Sequence, residues 1–370
     1  MRGNRRFFMI LASFFAGFVL LNFIIWKGWT EVLLSPLYAG GDLARLGFVS
    51  GVKNVRTTYD DLPSRHLEMK DYRGGTIDMV TIGDSFSIGA GEGRNRYYQD
   101  YIATINGMTV LNIPTYKFEG ITFSAMPVAT LVALYNAGWL DRIKPRYVLV
   151  ESVERFAIQR LVTAFDLNTR IKQEELERYY RTVRFGGSLN EDISFINEGN
   201  FKFLYYSLMY HFSDHAFRDL VFRMKLSEPQ FSGKHGDILL FHGEEVQSSP
   251  LATPQNIRKA NDNLNTIARM LRSKGITLIF MPVVDKLNLY RQFINDDRYP
   301  RSIFFEELRR LPKEYLLIDT KAILAKAIDE GELDLFYQDD THWTWKASQR
   351  VFSSVRFSTR PAGADSPGGQ

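Results

Sequence analysis

Two short segments of the chain carry residue types that together could catalyse acyl transfer. One is Gly83-Asp84-Ser85, directly after an apolar, β-branched run, and the other is Asp340-Thr341-His342 near the end of the chain. A serine hydroxyl is a weak nucleophile until a base removes its proton, and an imidazole base needs a carboxylate to fix its tautomer. Ser85, His342 and Asp340 would supply these three groups. The two segments therefore predict a Ser-His-Asp site.

Each segment also has a plainer interpretation. Asp84 or Ser85 could simply cap a following helix, and His342 could be an ordinary structural histidine on a loop. Asp339 competes with Asp340 for the role of the acid. A two-residue spacing lets a loop present Asp340 beside His342, whereas Asp339 would point away. The presence of both segments in one chain favours the catalytic interpretation.

The composition excludes several other classes of protein. Of the 370 residues, 45% are apolar and 24% are charged, which is typical of a chain that folds around a core. Without cysteine, the chain has no disulfide, thiolate metal site or cysteine nucleophile. Residues 1–30 hold four of the 46 Lys and Arg and no acid, so 42 basic residues remain to balance 42 Asp and Glu. A neutral body gives nucleic acid no basic face, and we expect no such partner.

We also expect no metal and no cofactor. A metal site at His342 would need further ligands, and the other histidines of the second half show no recognisable ligand spacing. These histidines are His211, His215, His235 and His242.

The N-terminus predicts a membrane anchor. Residues 7–26 form twenty positions without a charge, after Arg5 and Arg6 and before Lys27. About 20 apolar residues cross a bilayer core as a helix, and basic residues stay on the cytoplasmic side. A cleaved signal peptide usually has a shorter apolar run that ends in small residues. This run ends in bulky residues, so an uncleaved anchor is favoured over a cleaved signal peptide or a buried helix.

The body of the chain alternates short apolar runs with helical patterns. Strands are predicted at 76–82, 109–113, 146–151, 275–282 and 315–319, and helices at 93–106, 119–138, 254–274, 301–311 and 320–331. This alternation is typical of an α/β fold with a flavodoxin-like, doubly wound parallel sheet. Such sheets carry their sites at the carboxyl ends of the strands, where Ser85 would lie.

The sequence divides into four predicted parts. Residues 1–29 form the anchor, 30–358 one domain with an insertion at about 157–250, and 359–370 a disordered tail rich in Pro, Gly and Ser. The insertion is rich in aromatic residues, which could stack on sugar rings or pack the insertion onto the sheet. They include Tyr179, Tyr180, Tyr205, Tyr206 and Tyr210.

With these motifs in place, the chain resembles the SGNH hydrolase superfamily, and more narrowly its alginate O-acetyltransferase-like branch. The resemblance covers roughly 76–156 and 254–352 and leaves the insertion unmatched. Its motifs are Gly83-Asp84-Ser85-Phe86-Ser87, the strand ending in Glu154-Arg155, the segment Pro282 to Lys286 to Tyr290, and Asp340-Thr341-His342-Trp343. The chain departs from the branch in two respects. The Asp-x-His segment follows the serine, as in ordinary SGNH esterases, and strand three ends in Val150-Glu151-Ser152 in place of Gly-x-Asn-Asp.

The resemblance implies roles for further residues. The backbone N–H of Ser85 would stabilise the oxyanion, and Gly120 could be the second donor or only a glycine at the start of a helix. Arg155 and Lys286 would bind substrate.

The resemblance also implies a function. We expect a single-pass inner-membrane O-acetyltransferase with its catalytic domain on the periplasmic side, acting on a cell-surface or secreted polysaccharide. Free acetyl-CoA is not available there, so a membrane-bound O-acyltransferase would supply the acetyl group. The alternatives are a carbohydrate esterase with the same residues and a non-catalytic scaffold of a polysaccharide-export complex.

Overall fold

The computed structural model describes residues 2–34, 41–52, 56, 61–91, 93–183, 194–216, 220–299 and 301–358. Its α-helices are α1 (Arg2–Ile25), α2 (Glu31–Leu34), α3 (Asp42–Leu46), α4 (Tyr98–Asn106), α5 (Met126–Asn136), α6 (Trp139–Ile143), α7 (Glu154–Ile158), α8 (Gln173–Thr182), α9 (Glu198–Met209), α10 (Gly243–Ser248), α11 (Pro254–Arg272), α12 (Lys286–Leu289), α13 (Phe304–Arg310), α14 (Thr320–Asp329) and α15 (Trp345–Ser353). Its strands are β1 (Leu67–Glu68), β2 (Met79–Ile82), β3 (Val110–Asn112), β4 (Tyr147–Val153), β5 (Val221–Lys225), β6 (Ile238–His242), β7 (Thr277–Val283) and β8 (Leu316–Leu317). Short π-helical and 3₁₀ turns join several of them, at Trp26–Thr30, Met69–Asp71, Phe123–Ala125, Gln159–Thr163, Ser249–Leu251 and Arg291–Phe293.

The chain divides into two compact units. The sheet unit lies within 56–185, 244–336 and 342–370, and the anchor unit within 1–55, 186–243 and 337–341. The predicted domain 30–358 is therefore shared between two units, and its insertion is divided near residue 186. The predicted tail, 359–370, lies outside the described residues.

The sheet unit is built on a six-stranded parallel sheet in the order β1-β3-β2-β4-β7-β8. All five predicted strands are present, and among themselves they follow the flavodoxin-like order second-first-third-fourth-fifth. The prediction of a doubly wound parallel α/β sheet is confirmed. β2 and β4 pair from Met79↔Tyr147 to Ile82↔Val150, and every residue of both strands is buried. Strands covered on both faces are continuously apolar, which explains why the sequence predicted them.

The strand order identifies the crevice between the ends of β2 and β4 as the expected ligand site. The order of strands reverses at β2, so the connections of β2 and β4 leave the sheet in opposite directions at their carboxyl ends. In open α/β sheets the ligand binds outside the strand ends at this switch point. Gly83 follows β2 there, and Glu151 lies in the last half of β4.

The anchor unit begins with a continuous helical segment. One helix among the described residues, Asn4–Leu34, is long and apolar enough to cross a membrane. It comprises α1, the π-helical turn and α2. Its apolar side chains up to Ile24 are largely exposed, for example Phe14 at 77%. Helices that expose apolar side chains all round are rare in water and typical of contact with lipid.

The rest of the anchor unit packs around an antiparallel hairpin of β5 and β6. A small core joins the hairpin to the segment that follows the anchor, and consists of Leu43, Val49, Val52, Val221 and Leu240. A second cluster joins the anchor itself to α9, and consists of Ile25, Leu33, Ala44 and Phe203. These contacts explain the division of the insertion, because Phe203, Val221 and Leu240 bury their side chains with residues of the N-terminal segment.

Candidate active site

The nucleophile segment leaves the sheet at the end of β2. Backbone hydrogen bonds from Ser87 N–H to Asp84 O (3.1 Å) and from Ala90 N–H to Ser85 O (3.1 Å) fold it into successive turns. The predicted helix at 93–106 begins only at Tyr98. No α-helix among the described residues begins directly after Ser85, so the alternative in which Asp84 or Ser85 only caps a following helix does not apply.

Gly83 is required by a close approach of backbone to side chain. A Cβ atom at this position would lie 2.2 Å from Glu151 Oε2 and 2.1 Å from Ser87 Oγ. Both contacts are far inside van der Waals distance, so only glycine lets the chain pass β4 and present the next two residues. This supplies a physical reason for the Gly in Gly83-Asp84-Ser85.

Ser85 and His342 are brought together. His342 Nε2 lies 2.7 Å from Ser85 Oγ, within hydrogen-bond distance. His342 is 6% exposed, and its ring packs against Phe86 at 4.8 Å between centroids. A serine hydroxyl held against an imidazole nitrogen is the geometry that general-base activation of a nucleophile needs.

The backbone that follows His342 in the chain is fixed by contacts within the sheet unit. A β-bridge joins Phe336 to Trp343, and Thr344 binds back to the preceding loop through N–H to Leu335 O (2.9 Å) and Oγ1 to Asp334 O (2.7 Å). Thr344 also caps α15. These contacts limit the freedom of the imidazole, because its own neighbours are anchored.

The three residues before His342 are held within the anchor unit. Asp42 accepts hydrogen bonds from Thr341 N–H (2.8 Å) and Thr341 Oγ1 (2.6 Å). The Asp339 carboxylate accepts from Gly41 N–H (3.1 Å), and its carbonyl accepts from Ala44 N–H (3.0 Å). Asp339 thus accepts backbone N–H groups through both its carboxylate and its carbonyl oxygen. Asp340 is buried, and its role as the acid stays a prediction.

Gly120, the predicted second oxyanion donor, lies in a turn between β3 and the 3₁₀ turn at Phe123–Ala125. Its φ is +75°, a left-handed conformation that glycine adopts without strain. The glycine is therefore explained by the turn, and its role toward the oxyanion stays a prediction.

Beneath the serine lies a buried charged cluster that motif analysis missed. Asp84 Oδ2 accepts hydrogen bonds from Val153 N–H (3.0 Å) and from the guanidinium of Arg160 (3.2 Å). Glu151 Oε2 accepts from Asp84 N–H (2.9 Å) and Ser87 Oγ (2.9 Å). Glu151, which stands within β4 where the Gly-x-Asn-Asp block was expected, therefore supports the backbone next to Ser85.

The pKa values of the two carboxyl groups of this cluster are shifted in opposite directions. Burial raises the pKa of Glu151 well above its usual range, and the neighbouring Asp84 carboxylate raises it further. Burial alone would raise the pKa of Asp84 as well, but Arg160 and the Val153 N–H hold it below its usual range. Of the two carboxyl groups, Asp84 is therefore the one that favours the ionised form beside Arg160, and Glu151 is the one that favours the protonated form.

Of the predicted substrate-binding residues, Lys286 is buried, and the side chain of Arg155 is 8% exposed. Arg155 Nη1 lies 2.5 Å from Asp285 Oδ1. The adjacent Glu154 carboxylate accepts from Asp285 N–H (3.1 Å) and Asn288 Nδ2 (2.7 Å). The Glu-Arg and Pro-x-x-x-Lys motifs thus meet in one polar cluster that joins the ends of β4 and β7. A role of Arg155 and Lys286 toward substrate stays a prediction.

Comparison with known families gives a match over the C-terminal third of the chain. Residues 237–365 match the family described as SGNH hydrolase-like domain, acetyltransferase AlgX. The matched range contains Lys286, Asp340 and His342 and stops short of Ser85. No curated protein and no solved structure matches the chain significantly. The resemblance to the alginate O-acetyltransferase-like branch of the SGNH hydrolases, predicted from the motifs, is confirmed by this match.

Proposed function

We propose that the chain is a membrane-anchored, extracytoplasmic O-acetyltransferase that acylates a cell-surface or secreted polysaccharide. The observation that carries the proposal is the 2.7 Å contact between Ser85 Oγ and His342 Nε2 at the switch point of the sheet. The match of residues 237–365 to the family of an acetyltransferase domain supports acyl transfer as the class of reaction.

In the first half-reaction, Ser85 Oγ attacks the carbonyl carbon of an acyl donor while its proton passes to His342 Nε2. The Ser85 backbone N–H, with that of Gly120, stabilises the tetrahedral oxyanion. The intermediate collapses to acyl-Ser85, and the leaving group takes the proton back from His342. Asp340 holds the imidazole in the required tautomer and stabilises its cationic form.

In the second half-reaction, a sugar hydroxyl attacks the acyl-serine carbonyl. His342 removes the hydroxyl proton and returns it to Ser85 Oγ as the new ester leaves. If water takes the place of the sugar, the same steps hydrolyse the ester, and the protein is a carbohydrate esterase. The two functions therefore differ only in the group that removes the acyl chain from Ser85.

The anchor determines the source of the acyl group. Residues 7–26 cross the inner membrane, with Arg5 and Arg6 on the cytoplasmic side, so the sheet unit lies in the periplasm. Acetyl-CoA does not reach that side, and a membrane-bound O-acyltransferase supplies the acetyl group there. This partner explains why the enzyme is anchored.

The test uses the full chain in detergent with a chromogenic acetyl ester, with and without an oligosaccharide acceptor. We expect acceptor-dependent turnover and a mass increase of one acetyl group on the sugar. Release of acetate without acetylated sugar would identify an esterase. If Ser85→Ala reacts as fast as the unchanged chain, the catalytic proposal is wrong. Ser87→Ala is the matched control, because it removes a neighbouring hydroxyl of the same size. The Ser87 Oγ atom contacts Glu151 and Tyr98.

A further inference from the structure

Helix α9 in the anchor unit is apolar on two sides. Phe203 and Tyr206 point into the unit and are buried. The opposite side exposes large apolar residues at positions i, i+3, i+4, i+7 and i+11, a spacing that forms one continuous stripe on a helix. We call this stripe the α9 outer face, and it consists of Phe201, Leu204, Tyr205, Leu208 and, one turn past the helix end, Phe212.

The exposure of this face is unusual for a protein surface in water. Phe201 is 73% exposed and Phe212 is 82% exposed, and the residues between them are also open. Single exposed apolar residues are common, but a contiguous apolar stripe on a monomer marks contact with a partner or a membrane.

The inner side of α9 packs directly on the anchor. Asn200 Nδ2 donates to Asn22 Oδ1 (3.0 Å), and Asn200 Oδ1 accepts from Thr30 Oγ1. The Trp29 ring stacks on Phe203 at 5.4 Å between centroids. All these anchor residues lie at the outer end of the apolar run 7–26 or just beyond it. Helix α9 is therefore attached to the anchor at the level where the anchor leaves the bilayer core.

The contact also explains a polar residue inside the anchor. Asn22 would be costly in a bilayer core without a partner. Its side chain donates to Phe18 O (3.0 Å) and accepts from Asn200, so both amide groups are satisfied. The contact thus fixes α9 against the anchor by specific hydrogen bonds as well as by ring stacking.

We infer that α9 lies on the outer surface of the same bilayer that the anchor crosses, with the α9 outer face inserted at the boundary between headgroups and acyl chains. The inference rests on the membrane anchoring in the proposed function. The occupant is a lipid bilayer because the face begins where the anchor emerges and because it is rich in aromatic residues. Aromatic and aliphatic residues on one side of a helix are typical of interfacial helices. The chain would then touch the membrane through two elements and would hold the anchor unit in one orientation at its surface.

The absence of cysteine permits a direct test on the full chain. A single cysteine is introduced on the α9 outer face as Leu204→Cys or Leu208→Cys and is spin-labelled. The labelled protein is then reconstituted into phosphatidylethanolamine–phosphatidylglycerol vesicles. Collisions with oxygen, which concentrates in lipid, are compared with collisions with a water-soluble nickel chelate. Phe14→Cys is the control within the anchor, and Glu228→Cys, exposed between β5 and β6, is the control in water.

We expect the labels at 204 and 208 to collide several-fold more with oxygen than with nickel, as at 14, and the label at 228 to show the reverse. If 204 and 208 behave like 228 while 14 is in lipid, the anchor stands and the inference is wrong. Low collision with both reagents, or spin–spin broadening between chains, would mean that protein covers the face and would also overturn it. If the label at 14 collides mainly with nickel, the anchoring itself fails.

Discussion

Asp42 accepts two hydrogen bonds from Thr341, from its N–H at 2.8 Å and its Oγ1 at 2.6 Å, although 299 positions separate the two residues. Thr341 directly precedes His342, the proposed base. Asp42 lies in the first turn of α3 and thus fixes the backbone of Thr341 through two hydrogen bonds.

The Asp42–Thr341 contact predicts that Asp42→Ala impairs both stability and activity. The Thr341 N–H would lose its acceptor in a poorly hydrated place, at a cost of about 1–3 kcal/mol. Displacement of His342 should lower turnover by about 10- to 100-fold. Thermal unfolding and ester turnover measure the two effects. Asp42→Asn keeps an acceptor oxygen, so its stability and turnover should lie between those of the unchanged chain and of Asp42→Ala. Equal turnover of the unchanged chain and both variants would contradict the positioning role.

Ser85 and His342 should act as one unit. We expect Ser85→Ala to abolish the acyl-enzyme and to lower turnover by about 10⁴- to 10⁶-fold, with His342→Ala nearly as severe. The double variant should be little worse than either single one, since both groups act in one step. Intact-mass spectrometry after reaction with an acetyl ester detects the acyl-serine. Losses that multiply in the double variant would show that the two residues act independently.

Asp340 and Asp339 should respond differently to loss of charge. Asp340→Asn removes the acceptor that fixes the imidazole tautomer, so turnover should fall by about 10²- to 10⁴-fold. Asp339→Asn weakens the hydrogen bond from Gly41 N–H (3.1 Å), so it should cost about 1 kcal/mol of stability and leave turnover within about threefold. Turnover and unfolding are measured on the same preparations. The reverse order of the two activities would identify Asp339 as the acid.

Glu151→Gln should change how stability depends on pH. The raised pKa of Glu151 in the folded protein means that its contribution to stability is complete below its unfolded pKa and is lost as pH rises toward the folded pKa. Glutamine keeps the shape and the acceptor oxygen without titrating. The unfolding free energy of the variant should therefore improve relative to the unchanged chain as pH rises, by at most about 1.4 kcal/mol per pH unit.

Urea unfolding at several pH values between 5 and 9 measures this difference. Asp84 gives the opposite trend, because its lowered pKa contributes stability above its unfolded pKa that is lost as pH falls. The Asp84→Asn variant should therefore be less stable than the unchanged chain at neutral pH, and this difference in unfolding free energy should shrink at acid pH. A Glu151→Gln difference that is constant with pH would show that Glu151 is ionised in the folded protein.

The sequence predicted the five central strands because each is a short apolar run buried on both faces. It failed after Ser85, where it predicted a helix from residue 93. Gly93 and Asn95 adopt φ values of +80° and +61°, which a right-handed helix cannot contain, and α4 starts only at Tyr98. It also missed the β5–β6 hairpin, because dense aromatic residues across the insertion obscured the alternation of buried and exposed positions in β5.

The sequence by itself determined the parallel α/β sheet, the apolar anchor and the types of residue that form the candidate site, since these follow from local composition and spacing. Only the tertiary structure decided that Ser85 Oγ and His342 Nε2 lie 2.7 Å apart, that Glu151 and Arg160 surround Asp84, and that Asp42 binds Thr341. It also decided that α9 packs on the anchor with its outer face open. The residues in these contacts are 67 to 299 positions apart in the chain. Local pattern carries no information on such contacts, because they depend on which surfaces meet when the chain packs.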